Sequence, residues 1–161
     1  MIVASIYESN DCHTPAGTPA GGQFCATSGV LTNVHVHGPR EPYPLPGGAK
    51  EVPDGWWVVT SDQGFVELSA SRRYTGPHLV VMQIYVKEDL RGQSFGQQLY
   101  QQAVKAAKEI GKTSWPRYRG VVSGAEVRST AASRAWGALK RKYPKKVKTV
   151  RMRGTTYEVM E

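Results

Sequence analysis

The stretch LVVMQIYVKEDLRGQSFGQQLYQQAVKAAKEIG, residues 79–111, reads as a strand, a tight loop and an amphipathic helix in that order. Leu79 to Val86 is an apolar run of strand length, rich in Val, Ile and Tyr. Gln83 is its single polar member, so the strand is expected to be covered on both faces. After Lys87-Glu88-Asp89 the chain reaches Arg91-Gly92-Gln93-Ser94-Phe95-Gly96 and enters a helix. Apolar residues then recur at Phe95, Leu99, Ala103, Ala106, Ala107 and Ile110, one face of a period near 3.6. Gly111 is placed where a helix C′ glycine belongs.

A glycine-bearing turn between a strand and a helix has a specific chemical use. The first N–H groups of a helix lack partners, and the helix dipole favours negative charge beside them. Small residues let a phosphate approach that backbone closely, and Arg91 adds a fixed positive charge. The residues alone therefore point to an anion site for phosphate or pyrophosphate. A turn that needs glycine only for its shape is the competing reading.

The spacing Val86-x-x-x-Leu90-Arg91-Gly92-x-Ser94-x-Gly96-x-x-Leu99 resembles the acyl-CoA-binding segment of the GNAT acyltransferase superfamily, whose hexapeptide is Arg/Gln-x-x-Gly-x-Gly/Ala. Ser94 stands where the first glycine is usual, and Glu88 replaces a common proline. Downstream, Ser129-x-x-Ala132-x-x-Ala135-Trp136 resembles that family's Asn-x-x-Ala-x-x-apolar-Tyr helix, with Ser for Asn and Trp for Tyr. The two matches span about residues 79 to 144. The resemblance implies an α/β (α+β) fold: a mixed, mostly antiparallel sheet with splayed central strands, flanked by helices, and here preceded by a loop-rich N-terminal segment. It also implies acetyl-CoA as cosubstrate and an amine of a protein or small molecule as acceptor. Ile84, Tyr85, Val86, Arg91, Gly92, Gln93, Ser94, Phe95 and Gly96 are the residues it assigns to the cofactor. The backbone of residues 84 to 86 would extend the sheet into the acyl-pantetheine chain, with Trp115 and Tyr118 at the mouth of the gap.

At 161 residues the chain is expected to form one domain with enough length for a real core. Residues 10 to 55 form a Pro/Gly-rich segment within it. No apolar run approaches the roughly 18 to 20 residues of a membrane span, and the N-terminus lacks the pattern of a secretory signal. A cytoplasmic protein without a membrane partner is the expectation. Cys12 and Cys25 read as free thiols, with a single disulfide as the alternative. Together with His35 and His37 they match no familiar zinc spacing, so no metal is assigned.

The net charge of +8 is unevenly spread. Residues 1–80 carry four Lys/Arg against seven Asp/Glu, and residues 81–161 carry seventeen against six. Such asymmetry suggests an anionic partner for the C-terminal half, either coenzyme A or nucleic acid. Eight of the fourteen residues from Lys140 to Arg153 are basic, which a solvated face would also explain.

Met1 to Ser9 reads as a short edge strand. Residues 11–55 hold seven of the ten prolines and eight of the seventeen glycines, the signature of a long loop or linker. Within it, Pro15 to Phe24 resembles short Gly-Gly-Gln-Phe/Trp segments of phage and mobile-element proteins. That likeness implies a phage or prophage origin and docking to phage structural proteins; a flexible linker is the alternative. Val30 to His37 alternates like a strand. Trp56–Thr60 and Phe65–Ser71 form a hairpin about residues 61–64. Gly120 to Ser123 is a further short strand, Ser129 opens a helix to about Lys142, and residues 145–160 close as a hairpin about Gly154.

For catalysis the resemblance implies that the Val86 N–H polarises the thioester carbonyl. The position of the family's proton-donating tyrosine is Trp136, which has no acidic proton. Tyr143 is the substitute nearest in sequence. Glu67 and His78 are the candidate bases. Three functions stay open at this point: an N-acyltransferase, a GNAT-like fold with a structural, virion-associated role, and a nucleic-acid-binding protein.

Overall fold

A computed structural model of the chain describes residues 33–45, 47–71 and 74–161. The expected edge strand at Met1–Ser9, the phage-like segment and both cysteines lie outside these residues.

Among the described residues nine strands and two α-helices run in the order β1 His35–His37, β2 Pro42–Leu45, β3 Gly48–Glu51, β4 Trp56–Ser61, β5 Gly64–Ser69, β6 His78–Val86, α1 Phe95–Thr113, β7 Gly120–Gly124, α2 Thr130–Lys142, β8 Val147–Met152 and β9 Thr155–Met160. Seven strands make one sheet in the order β1-β4-β5-β6-β7-β9-β8, and β2 pairs with β3 separately. Every pairing is antiparallel except β6 with β7. This is the mixed, mostly antiparallel sheet flanked by two helices that the sequence implied.

The two clearest hairpins follow from their turns. Asp62-Gln63 joins β4 to β5. Arg153-Gly154 joins β8 to β9 with φ of 49° and 83°, the doubly positive pattern that suits strand twist. Of the strand expected over Val30–His37, His35–His37 is found, and residues 30–32 lie outside the described residues. One expectation fails in the Pro/Gly-rich region. Residues 42–51, read as loop, form a hairpin. Its prolines, Pro42 and Pro44, alternate along β2, so their missing donors cost no interior ladder bond, and Gly47-Gly48 turns it with positive φ. Tyr43 and Leu45 fall on its inner face and cover Val58 and Phe65.

Both helices feed one core. Leu99, Ala103 and Ala107 of α1 and Trp136 and Leu139 of α2 pack with Val59, Val66, Leu68, Leu79 and Val121 of the sheet. Gly111 does not end α1 as expected. The helix continues to Thr113, and Gly111 is where the following loop crosses it: a Cβ there would meet the Tyr118 carbonyl oxygen at 2.4 Å.

β6 is the element that makes the site. It pairs with β7 only through His78–Val80 opposite Gly120–Val122, then the two strands part. A bulge leaves Met82 without an opposite residue on β5. The extra residue resets the alternation, so Leu79 and Val81, then Ile84 and Val86, all join the helix-side core. The expectation of cover on both faces is corrected: Met82 is 49% exposed, and Gln83 is exposed beside it, because among the described residues no strand flanks this half of β6 on the β7 side. Among the described residues no helix is long and apolar enough to cross a membrane.

Candidate functional site

Where β6 and β7 separate, a cleft of about 530 Å³ opens between the end of β6, the loop into α1 and the start of α2. Ile84, Tyr85 and Val86 form one wall; Arg91, Gly92, Ser94, Phe95 and Gly96 line the loop side. Of the nine residues expected at a cofactor, eight are gathered here. Gln93 is the exception, its side-chain Nε2 donating to the Asp89 carbonyl at 3.3 Å.

The β5 ladder decides which backbone groups of β6 face the opening. The Lys87 N–H donates to the Gln63 carbonyl at 3.0 Å, and Tyr85 lies opposite Phe65. In an antiparallel pair hydrogen-bonding residues alternate, so Tyr85 uses its N–H and C=O on β5. Ile84 and Val86 turn theirs toward the gap. The Val86 carbonyl accepts from Arg91 Nε at 3.2 Å, and the Val86 N–H is left facing the cleft. The Arg91 guanidinium lies 5.9 Å from the Tyr85 ring centroid and 3.7 Å from Glu88, so it is held over the end of the strand.

The loop turns on two left-handed residues, Gly92 at φ 84° and Ser94 at φ 64°. Ser94 is the residue before α1, but its hydroxyl caps nothing; its carbonyl accepts from the amides of Gln97 and Gln98. Among the described residues the amides from Gly92 to Gly96 have no acceptor in the chain. Four of these amides, of Gly92, Ser94, Phe95 and Gly96, belong to residues that line one end of the cleft, beside the helix N-terminus, where the dipole favours an anion.

The opposite wall comes from α2. The Ser129 hydroxyl accepts from the Ala132 amide at 3.2 Å and caps the start of that helix. Ala131, Ala132, Arg134 and Ala135 line the cleft. Gly96 faces Ala135, with 4.0 Å from its Cβ position to the alanine methyl, so two small residues keep the helices close without closing the opening. Arg134 was not anticipated; it sits one turn into a helix whose start was legible.

Tyr100 was also missed. It is 1% exposed, lines the cleft, and packs on Trp136 with ring centroids 4.9 Å apart. Burial pushes its phenol up to about 12, against smaller opposing effects of the Trp136 indole and Arg128. The indole Nε1 is buried without a well-aligned acceptor. Arg128 lies over the other side of Trp136 and pairs with Glu158. The signal for Tyr100 was its spacing: it stands four residues after Gly96, on the same helix face.

The three side chains expected to do acid–base work do not line the cleft. Glu67 accepts from the Tyr43 hydroxyl at 2.8 Å, and burial together with that bond raises Tyr43 to about 12. His78 is buried at the closed end of the β6–β7 pair, Nδ1 2.9 Å from the Tyr74 hydroxyl and Nε2 2.9 Å from Glu161 Oε1. Tyr143 accepts from Gln101 Nε2 at 3.1 Å. Trp115 and Tyr118, expected at the mouth, line a separate groove. Among the described residues no cluster of His, Cys, Asp or Glu could hold a metal ion.

Residues 31–116, just over half of the chain, match the model of the acetyltransferase (GNAT) family. The match covers β6, the loop and α1, and ends before α2. No curated protein and no solved structure matches the chain.

Proposed function

The chain belongs to the acetyltransferase (GNAT) family, and from that premise we propose that it transfers the acetyl group of acetyl-CoA to an amine of a protein or small molecule. One observation carries the reading: β6 leaves β7 after Val80, and the freed backbone faces a cleft lined by four residues with unpartnered amides, Gly92, Ser94, Phe95 and Gly96. Acetyl-CoA, when bound, supplies an acyl carbon activated by its thioester. The amides of Gly92 to Gly96, with Arg91 and Arg134, hold its diphosphate. The Val86 N–H donates to the acyl carbonyl oxygen, where negative charge grows as the amine nitrogen bonds to carbon. The carbon–sulfur bond breaks and the departing sulfur takes a proton. Trp136 has none to give, so this role falls to Tyr100, which keeps its proton throughout the neutral range. Among the described residues no carboxylate or imidazole lines the cleft. The acceptor therefore enters as the neutral amine, and its surplus proton passes to water. Glu67, His78 and Tyr143 each serve another side chain and take no part in this scheme.

The test is a titration of acetyl-CoA and coenzyme A against the protein and its Gly96→Glu variant. The position tolerates a Cβ, so the variant should fold, and its carboxylate should repel the diphosphate and abolish binding. Equal affinity would remove the loop as the cofactor site. Saturating acetyl-CoA with a panel of amines and peptides should release free thiol.

A second reading is a GNAT-like fold retained as a non-catalytic, virion-associated module of phage origin. Trp136 in the tyrosine's place favours it. Acetyl-CoA binding with no thiol release, and fixed copy number in purified particles, would replace the first reading by this one.

A further inference from the structure

At the far end of α1 from the cleft, the last helical turns and the loop 114–119 enclose a groove of about 480 Å³. Lys108, Lys112, Arg117 and Arg119 line it together with Trp115, and among the described residues no carboxylate does. Trp115 is 91% exposed, an unusual place for a large indole. Glu109 pairs with Lys112 at 2.7 Å, and Arg119 helps to hold the Glu161 carboxyl below its ordinary range. Lys108 and Arg117 have no carboxylate partner among the described residues. Two basic residues near a helix C-terminus suit the dipole. That does not explain Arg117 and Arg119 beyond the helix, nor the bare indole between them.

We propose that this groove binds single-stranded nucleic acid, with Trp115 stacking on a base and the four cations following the phosphates. The chemistry selects that partner. An exposed aromatic face beside a positive groove is how single strands are held without sequence preference. An acidic peptide would satisfy the cations but offers no flat partner for the indole. A duplex hides its base faces in the stack. The site is distinct from the acyl-CoA cleft: Gly96 and Lys112 are sixteen residues apart on one helix, about 24 Å at 1.5 Å per residue. The inference stands whether or not the acetyl-transfer reading holds.

Labelled oligothymidylate and oligouridylate are titrated by fluorescence anisotropy across a range of salt. Binding of either polymer, weakening steeply with salt, is expected, and the tighter arm says whether the natural strand is DNA or RNA. Trp115→Ala should lose about tenfold in affinity with the salt slope unchanged. Arg117→Gln should reduce that slope by about 0.7, the share of one phosphate contact on a single strand. Both side chains are exposed, so the variants should melt with the wild type. Gly96→Glu should bind the oligonucleotides normally. The proposal is overturned if neither polymer binds, if Trp115→Ala binds like wild type, if Gly96→Glu abolishes binding, or if a polyglutamate peptide of equal charge competes as well as unlabelled oligonucleotide.

Discussion

Ser94 adopts φ 64°, ψ 5°, a conformation that costs a residue with a Cβ about 1 to 2 kcal/mol. It stands where the family's hexapeptide carries glycine, so the loop keeps its shape against that cost. Ser94→Gly should relieve the strain, although glycine's unfolded-state freedom takes back about 0.5 to 1 kcal/mol. The melting temperature should rise by roughly 1 to 3 °C, and affinity for acetyl-CoA should stay within about twofold, since the amides keep their directions. A variant that folds but loses the ligand would mean that the hydroxyl, not the backbone, recognises it. Tyr100 carries the complementary prediction. Tyr100→Phe removes only the phenol oxygen from a packed ring, so kcat should fall about 10²-fold with KM for acetyl-CoA unchanged. Because burial raises this phenol to about 12, the wild-type rate should show no downturn from its ionisation below about pH 11. A Tyr100→Phe enzyme with full kcat would leave the departing sulfur to be protonated by solvent.

At the scale of elements, β6 and α1 were legible because each carries its own period: an apolar run of strand length, then a 3.6-residue repeat of apolar positions. Their relation to neighbours was not. Gly111 lies near the end of the apolar periodicity and so imitates a helix stop, yet its role is set by Tyr118, a contact that no local pattern encodes. Gly111→Ala therefore has two opposing terms. Alanine improves helix propensity by about 1 kcal/mol, while a Cβ 2.4 Å from the Tyr118 carbonyl oxygen forces the loop or helix to shift, at about 1 to 3 kcal/mol or more. The crowding should win by about 1 kcal/mol, a fall of roughly 2 to 4 °C in melting temperature. A rise would show that the crossing loop yields freely. The β2–β3 hairpin was hidden for a different reason: its prolines mimic a linker, and only the cover that Tyr43 gives to Val58 and Phe65 makes it a strand pair. The Met82 bulge was equally silent, since Gln83 within an apolar run looks the same in a regular strand.

Over the whole molecule, the site exists because one parallel pair is closed at one end and open at the other. The loop's composition announced an anion, and the family resemblance supplied the splay; the place where β6 and β7 stop pairing depends on contacts between residues 42 apart, which periodicity does not reach. The closed end is held by Val80 opposite Val122 and by His78, which joins Tyr74 to Glu161. A carboxylate only accepts, so His78 Nε2 carries the proton of that bond. The bond from His78, helped by the charges of His78, Lys148 and Arg119 and opposed by burial, holds the Glu161 carboxyl below its ordinary value of 4.5. A carboxyl with a depressed folded-state pKa adds stability that is complete above the unfolded value and is lost as pH falls through the folded one. Thermal melts taken downward from about pH 6 should therefore steepen once the pH drops below about 4.5, and Glu161→Gln should flatten that part of the profile while changing the neutral melt by only a few degrees. The Glu161 side chain is 40% exposed, so solvent screens the pair and the effect is a modest one. If the variant follows the wild-type profile throughout, the closed end of β6, β7 and β9 rests on the ladders that β7 makes with each neighbour and on apolar contacts alone, and the His78–Glu161 pair contributes nothing to keeping it shut.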